Sequence, residues 1–505
     1  MIKKFLNFEA FMYLFLSFFL AYNVFYSHAK NSFALYWLPL LIIVFFVLIK
    51  YIIQYLSTLK LKNDQKFNYK EFIIYGIILL ISSIVSIFWN NPAAITDDSI
   101  KCYEQALTNT YSDWHPVFYT LIFYKLPMLI YENYLSCSIF QCIFISLILL
   151  YFCKFCRTYF LNKKSTILLL TFIVFNPIFL KYASGLIKDI PFSFCIFLGT
   201  IILIENFITE GEYLKSNLHK LIFILMCFGV TFFRHNGIVN ILLMTLFLII
   251  FYKENRKFLL IFLTSFLLIK ILVTGPIYSS LQISSSGGIG EMLGVPLNQM
   301  SYIYNNSGKV TENNIKTMEK IADIDAWEKL YHPTSFNNIK VSGTYDREYC
   351  SKNYQTILVN WFEMVINNPV LALESYIHVS SAIWQLNTPN GEINSINFTF
   401  GPPNDITIFD KLMNNYIVIN SDSILRLFFI DVGEGLFLML LSLTILIKNK
   451  KINIKAFIPY ILVLSNILVI ALLITGREVR FIYSSILCSY PLILFAFREN
   501  PDENA

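Results

Sequence analysis

A succession of long apolar runs, repeated along most of the chain, limits what this sequence can fold into. Of its residues 56% are hydrophobic and only 14% are charged, against about 25% charged in soluble domains. No single soluble core could bury so much apolar sequence, so the sequence predicts an all-α membrane protein with about 12 transmembrane helices. The predicted spans lie at 11–28, 34–56, 71–90, 134–153, 165–183, 190–207, 219–233, 236–252, 258–275, 427–447, 456–475 and 480–497.

A further apolar run, 116–131, is short and contains Pro116, Lys125 and Pro127. If it crossed the membrane, later basic loops such as 448–455 would lie outside the cell. A re-entrant or juxtamembrane helix on the outer face instead concentrates lysine and arginine in the cytoplasmic loops, as the positive-inside rule requires. The sequence therefore predicts a multi-pass protein with both termini cytoplasmic. The abundance of Phe, Tyr, Ile, Asn and Lys is typical of an A+T-rich bacterial genome, which predicts the bacterial plasma membrane.

The longest polar stretch, 276–426, divides the chain into three predicted parts. Residues 1–275 form an N-terminal transmembrane domain with catalytic outer loops, and residues 427–505 form the C-terminal transmembrane helices. The stretch between them contains two amphipathic helical patterns, at 312–330 and 351–379, which predict a small, mostly helical cap over the outer face.

Two pairs of cysteines raise the question of a disulfide or a metal site. Cys102 and Cys350 lie in predicted external segments, where a disulfide between them is open. Cys153 and Cys156 form a CKFC sequence at a helix end, but no second cysteine pair and no histidine lie near them. We therefore expect these two thiols to be core residues rather than ligands.

Four polar clusters fall on the same predicted outer side of the membrane. Any single charge in such loops could simply be solvated, but acids and bases from distant segments that converge on one face are candidates for function. The adjacent Asp97 and Asp98 are the strongest signal, because two like charges side by side repel unless a cation or a substrate group compensates them. The clusters are Asp97, Asp98, Glu104, Asp113 and His115 after the third span; Lys188 and Asp189 in SGLIKDIP; Arg234, His235 and Asn236 in FFRHNG; and Arg477, Glu478 and Arg480 in GREVR.

The order of these motifs resembles that of the GT-C superfamily of polytopic membrane glycosyltransferases. Within that superfamily it resembles a bacterial family whose members mostly have no assigned substrate. The resemblance rests on the acidic pair, the SDWHP sequence, the later KD and RxNG, and the closing GREVRFIY. GVPLNQM at 294–300 and YHPTSFNNIK at 331–340 are similar to two segments of that family's external region. Together the motifs span about 90–490.

Membership would imply transfer of a hexose or pentose from a polyprenyl-phosphate-linked donor to a cell-envelope glycan, lipid or protein on the outer face. An inverting transfer needs a carboxylate base, for which Asp98 or Asp97 is expected, and cations for the leaving phosphate. Lys270, near the outer end of the ninth span, would assist or extend its amine to the interface. The expected catalytic residues are Asp97, Asp98, Asp113 and His115, and the expected substrate-binding residues are Lys188, Asp189, Arg234, Asn236, Arg477, Glu478 and Arg480.

The chain departs from the family pattern in two ways, with adjacent Asp residues in place of D-x-D and one proline after His115 in place of two. A divalent cation therefore stays open, and no other cofactor is expected. Membrane lipids are expected partners, whereas nucleic acid is not, because the net charge of +6 is spread over short loops. Three alternatives remain: a polysaccharide polymerase or ligase that uses lipid-linked donors, a transporter or lipid flippase, and a protein that only anchors others.

Overall fold

The computed structural model describes residues 2–28, 34–59, 61, 68–284, 288–386, 411, 412, 415, 433–449 and 453–498. Among these residues the chain is helical, with isolated bridges as its only β pairing. The helices of the bundle are α1 Ile2–His28, α2 Ala34–Leu56, α3 Lys70–Asn90, α4 Asp97–Thr108, α5 Val117–Met128, α6 Tyr134–Tyr159, α7 Lys163–Val174, α8 Pro177–Ala183, α9 Asp189–Ile208, α10 Asn217–Phe232, α11 Gly237–Phe251 and α12 Lys253–Ser280.

The helices that follow form the cap and then return to the bundle. The cap helices are α13 Gly294–Asn305, α14 Glu312–Ile321, α15 Ile324–Lys329, α16 Asn337–Lys340, α17 Arg347–Lys352, α18 Tyr354–Asn367 and α19 Pro369–Trp384. The returning helices are α20 Glu434–Lys448, α21 Ile458–Leu473 and α22 Val479–Ala496.

Eight helices of the described chain are long and apolar enough to cross a membrane, or up to ten if each of two bent pairs is one span. The eight are α1, α2, α3, α6, α9, α12, α21 and α22. The bent pairs are α7 with α8, at an angle of 69°, and α18 with α19, at 112°. The fold is therefore that of an all-α, multi-pass membrane protein, as the apolar runs predicted.

Helix α9 is the centre of the bundle. It packs against α6, α10, α21 and α22, and 89% of its most apolar 18-residue stretch is buried. Helices α2 and α12 are the least buried, with 11% and 22% of the corresponding stretch buried. A helix that is apolar all round can sit in the middle of a bundle or face lipid, and here both cases occur.

Helix α5 occupies the doubtful run at 116–131. At 1.5 Å per residue it is about 18 Å long, well short of the ~30 Å hydrocarbon core. It buries Tyr119, Phe123 and Tyr124 against the bundle and is followed by the exposed Leu129 and Ile130. Such a short helix with one apolar face turned outward fits the predicted re-entrant or juxtamembrane placement.

The cap has its own apolar core, which includes the fully buried Trp327. The predicted helix 312–330 is broken at residues 322 and 323. The predicted helix 351–379 is bent at Asn368, because Pro369 begins a new helix there. The first half of α19 packs in the cap, whereas its second half enters the core of the bundle.

The disulfide that the sequence left open between Cys102 and Cys350 is not formed. Both thiols are free and buried, Cys102 in the core of the bundle and Cys350 in that of the cap. Cys153 and Cys156 are also buried in the bundle, as expected of core residues. Most of the predicted segment after residue 386, and the beginning of the predicted span 427–447, lie outside the described residues.

Candidate functional site

Three helices begin at one end of the bundle, which we call the site face. They are α4, α9 and α22, and the turn between α10 and α11 joins them there. Helix N-termini carry partial positive charge and unpaired N–H groups, which favours anions nearby. Seven side chains converge on this face, and we call them the charge cluster: Asp98, His115, Lys188, Asp189, Arg234, Glu478 and Arg480.

The first turn of α4 separates the two adjacent aspartates. Thr96 is the N-cap and forms a reciprocal capping box with Ser99, so neither aspartate caps the helix. Asp97 is exposed, whereas Asp98 is partly buried and faces the other charges of the cluster. The helix dipole favours both carboxylates at this end, but only Asp98 belongs to the cluster.

Asp98 is surrounded by nitrogen atoms. Its Oδ1 lies 3.7 Å from Nε2 of His115 and its Oδ2 lies 3.6 Å from Nη1 of Arg480. Burial alone would raise the pKa of Asp98, but Lys188, His115 and Arg480 together hold it below its usual value. Asp98 is therefore a carboxylate at neutral pH.

His115 lies between Asp98 and Lys188, whose Nζ is 3.0 Å from its Nδ1. The ring is only 1% exposed. Burial and the charge of Lys188 lower the pKa of His115 to about 3, so the imidazole is neutral at physiological pH. A neutral ring accepts a hydrogen bond from the Lys188 ammonium at Nδ1 and directs its own N–H toward Asp98.

Asp189, at the start of α9, is the most deeply buried acid of the cluster, with 1% exposure. Nη1 of Arg234 lies 3.1 Å from its Oδ1, and Nη1 of Arg480 lies 3.9 Å from its Oδ2. Neither carboxylate oxygen has a hydrogen bond of good geometry. Asp189 thus acts as a buried counter-ion for two guanidinium groups and holds both close to the site face.

Arg234 is held from several sides. Its guanidinium carbon lies 5.5 Å from the ring centre of Phe192 and 5.2 Å from that of Phe481. A Cβ on Gly237 would lie 1.7 Å from the carbonyl oxygen of Val230, so only glycine lets α11 approach α10 this closely. The RxNG sequence is therefore a tight turn that delivers Arg234 to Asp189.

The cap reaches the cluster through residues that sequence reasoning missed. Nδ2 of Asn337 donates to Oε1 of Glu478 at 3.1 Å, and the other oxygen of Glu478 pairs with Nε of Arg480. Arg477, an expected substrate-binding residue, is tied to the cap through its backbone N–H, which donates to the carbonyl of Thr334. A clue to this contact was the YHPTSFNNIK segment, which the resemblance singled out without a role.

A second group of charges adjoins the cluster. Nε2 of His235 lies 2.9 Å from the carbonyl oxygen of Asp113. Burial lowers the pKa of His235 most, and the charges of Lys188 and Lys270 lower it further, to about 4. Burial raises the pKa of Asp113 to about 6, against the attraction of Lys270. The Lys270 amine lies 4.7 Å from the ring centre of Phe232. Asp113 and Asp98 are thus two carboxyls whose environments shift their pKa values in opposite directions.

Asn236 lies in the turn between α10 and α11, and its buried Oδ1 has no hydrogen-bond partner.

Within the described part of the chain, no group of three or more His, Cys, Asp or Glu residues could hold a metal ion. The acids of the cluster pair instead with Arg234 and Arg480, whereas Lys188 contacts His115.

A cavity of about 380 Å³ lies at the opposite end of α9 from the cluster. Its charged lining residues, Glu210, Lys253, Glu254 and Lys455, are all exposed. Exposed charges of this kind are common at a membrane boundary, so the cavity is a weaker candidate than the buried cluster.

Together, fold and cluster define a multi-pass membrane protein with a partly buried acid–base site where its central helices begin. The chain belongs to the family of unknown function DUF6020, whose model matches residues 105–384, just over half of the sequence. No curated protein and no solved structure matches it. The matched region contains His115, Lys188, Asp189 and Arg234 together with the cap as far as Trp384.

Proposed function

We propose that this protein is a membrane glycosyltransferase that moves a sugar from a polyprenyl-phosphate donor to a cell-envelope acceptor on the outer face. The observation that carries the proposal is the convergence of Asp98 with Lys188, Arg234 and Arg480 at one end of an apolar bundle, with Asp113 in the group of charges that adjoins them. Group transfer from a phosphate needs both an acid–base residue and cations. A lipid-linked donor fits because its chain can remain in the bilayer while its head group reaches this face.

The membrane topology that goes with this function has twelve spans. They are the eight long helices, the bent pair α7–α8, and the shorter α10, α11 and α20, with α5 on the outer leaflet. The termini are then cytoplasmic and the site face is extracytoplasmic, as the distribution of Lys and Arg favours. In this arrangement the cap lies over the site from outside the cell.

The two carboxyls take different roles. The acceptor hydroxyl oxygen attacks the anomeric carbon, the bond from that carbon to the phosphate oxygen breaks, and polyprenyl phosphate leaves with the electron pair. The hydroxyl proton passes to Asp113, because a pKa of about 6 suits a general base better than the depressed pKa of Asp98. This revises the expectation that Asp98 or Asp97 is the base.

Asp98 then orients the cations. It pairs with Arg480 and faces His115, which in turn accepts a hydrogen bond from Lys188. When the donor phosphate arrives, it competes with the partly exposed Asp98 for Arg480, whereas Asp189 keeps both arginines in place from beneath. Guanidinium groups suit this task because their planar fork matches phosphate oxygens.

A transporter needs backbone or side-chain groups that are free to bind cargo, and broken helices often supply them. The carbonyls at the end of α8, the second half of the bent pair α7–α8, are instead satisfied by side chains of the bundle. Nε2 of Gln141 donates to three carbonyls between Tyr182 and Gly185, and Ser86 and Asn90 bond the carbonyls of Leu180 and Lys181. These contacts favour a rigid site over a cargo path.

The proposal is tested with purified protein and a panel of polyprenyl-phosphate-linked hexoses and pentoses. We expect release of polyprenyl phosphate from at least one donor, and release slower by ~100-fold or more in Asp113→Asn, which removes the proposed base. Reconstitution in liposomes with a labelled lipid-linked sugar provides the contrast. Movement of the donor across the bilayer without its cleavage would contradict the proposal and favour a flippase, and chain growth on the lipid carrier would favour a polymerase.

A further inference from the structure

We propose that Asn337 of the cap is a positioning residue that sets the orientation of Arg480 through Glu478. The inference rests on the proposed function, in which Arg480 binds the donor phosphate. It adds that the membrane bundle does not fix this arginine by itself, because the cap completes the site.

The cap is joined to the start of α22 by a short antiparallel bridge. The N–H of Phe336 donates to the carbonyl of Thr475 at 2.9 Å, and the N–H of Arg477 donates to that of Thr334 at 3.1 Å. Gly476, in the middle of this bridge, faces Ser335. The bridge fixes the backbone just before Asn337 relative to the backbone just before Glu478.

The approach is close enough to require a glycine. A Cβ on Gly476 would lie 2.6 Å from Oγ of Ser335 and 3.1 Å from Nδ2 of Asn337. Two residues before Gly476 in the same segment, the carbonyl oxygen of Ile474 would lie 2.7 Å from a Cβ on Gly294. The segment before α22 is therefore in close contact with two parts of the cap.

The side chains continue this connection into the charge cluster. Asn337 donates to one oxygen of Glu478, so the other oxygen is directed at Nε of Arg480. The Nη1 atom of Arg480 then lies 3.6 Å from Asp98 and 3.9 Å from Asp189. With its Nε occupied by Glu478, the arginine presents its terminal nitrogens to the site.

Removing the amide of Asn337 frees Glu478 to rotate. A free carboxylate prefers to bind a guanidinium through two parallel hydrogen bonds, which would draw in a terminal nitrogen of Arg480 as well as Nε. The terminal nitrogens would then be less available to a phosphate. The expected consequence is weaker donor binding, with little change in acceptor binding or in the chemical step.

The test uses five variants of the full-length protein: Asn337→Ala, the isosteric Asn337→Asp, Glu478→Gln, the double variant that combines Asn337→Ala with Glu478→Gln, and Asn338→Ala as the matched control. Asn338 is the exposed neighbour of Asn337 and lies outside the cluster. Size-exclusion profiles and melting temperatures establish that each variant is folded. Two quantities are measured, the KM and kcat for the lipid-linked donor and the Kd for polyprenyl phosphate.

We expect Asn337→Ala to raise the donor KM and the Kd for polyprenyl phosphate by roughly fivefold, with kcat within about twofold of wild type. Asn337→Asp, which sets a second carboxylate against Glu478, should raise both further. Asn338→Ala should match wild type. If Asn337 acts only through Glu478, Asn337→Ala should add no effect in the Glu478→Gln background.

Equal effects of Asn337→Ala with and without Glu478→Gln would overturn the inference, because they would show that Asn337 acts by another route. Wild-type values of KM and Kd in both Asn337 variants would overturn it too. If Asn337→Ala does not fold, Asn337→Asp, which preserves shape, decides the question. A wild-type protein that neither cleaves any donor nor binds polyprenyl phosphate would instead refute the proposed function.

Discussion

Arg234 lies 3.1 Å from the buried carboxylate of Asp189, so two motifs separated by 45 positions in the sequence form one ion pair. The pair is enclosed by the rings of Phe192 and Phe481. Arg234 therefore has a structural partner as well as a proposed role in phosphate binding. Substitutions that keep or remove its charge should separate the two.

Arg234→Lys retains the positive charge beside Asp189 but loses the planar fork and its stacking on the two rings. We expect normal expression and membrane insertion, and a drop in transfer of about tenfold or more, which corresponds to ~1.4 kcal/mol. Arg256→Lys, on an exposed arginine at the opposite end of the bundle, is the control and should keep full activity.

Arg234→Met gives the contrast, because it leaves Asp189 with Arg480 alone, 3.9 Å away. Breaking one partner of a buried pair costs about 3–5 kcal/mol, so this variant should show a clearly lower melting temperature. Full activity in Arg234→Lys would show that the arginine only balances the charge of Asp189.

Asp98→Asn and Asp97→Asn form a matched pair of adjacent substitutions. Asp98 faces His115 and Arg480, whereas Asp97 is exposed and has no ion pair among the described residues. We expect Asp98→Asn to lower kcat by about tenfold or more, because Arg480 and His115 lose the carboxylate that orients them, and to change donor binding less, because the phosphate no longer competes with Asp98 for Arg480. Asp97→Asn should retain nearly full activity. The opposite pattern in steady-state assays would remove Asp98 from the site.

The pH–rate profile tests Asp113. A general base with a pKa of about 6 is active when ionised, so kcat/KM should fall as the pH decreases through about 6. Asp113→Asn should lower the rate by ~100-fold or more and should remove this acid limb. An unchanged acid limb in Asp113→Asn would assign it to another group.

The stability of the protein should also depend on pH, and His115 contributes to this dependence with a definite sign. Burial lowers the pKa of His115 to about 3, so below its unfolded value of about 6.5 the unfolded state binds more protons and stability decreases on acidification. Each such histidine contributes a slope of at most about 1.4 kcal/mol per pH unit. Asp113 contributes in the opposite direction between pH values of about 4 and 6, because its pKa is raised in the folded state and acidification there stabilises the fold. We expect His115→Gln to flatten the decrease in melting temperature between pH 6.5 and 5, and an unchanged slope would exclude His115 as its source.

Much of the fold could be predicted because apolar length is a local property of the sequence. The predicted spans coincide with helices wherever the structure describes them, except that 165–183 is divided into α7 and α8 with a bend of 69°, and the short run at 116–131 is a short helix. The cap was predicted less well, since Pro369 bends a continuous amphipathic pattern by 112° and sends its second half into the bundle. A pattern of apolar residues shows which face is buried but not what it packs against.

The site was predicted as a set of residues, not as a set of contacts. Asp189 and Arg234 could be placed on one face from topology, and their pairing follows from the close packing at Gly237. The different environments of Asp97 and Asp98 depend on a capping box that begins at Thr96, one residue earlier than the acidic pair. Asn337 could not be found, because its partner is 141 positions away and lone asparagines are frequent in loops.

The sidedness of the chain can be measured with single cysteines in intact cells. All nine native cysteines are buried, so their background labelling by a membrane-impermeant thiol reagent should be low. Thr110→Cys and Asn338→Cys, at exposed positions on the proposed outer side, should react; Ser216→Cys, at an exposed position on the proposed inner side, should react only after lysis. Labelling of Ser216→Cys in intact cells would refute the twelve-span topology and would make α5 a full crossing.

Gly237→Ala tests whether the turn that carries Arg234 depends on close helix packing. The new methyl group would lie 1.7 Å from the carbonyl oxygen of Val230, so α10 and α11 must separate and Arg234 must move away from Asp189. Overpacking of this kind costs about 1–3 kcal/mol or more, and we expect a lower melting temperature together with a loss of transfer. Gly76→Ala on α3 is the control, because no atom lies within 4 Å of the place its methyl group would take and alanine favours a helix by about 0.5–1 kcal/mol. Equal melting temperatures and activities in the two variants would show that the turn tolerates a side chain and that Arg234 is placed by other contacts.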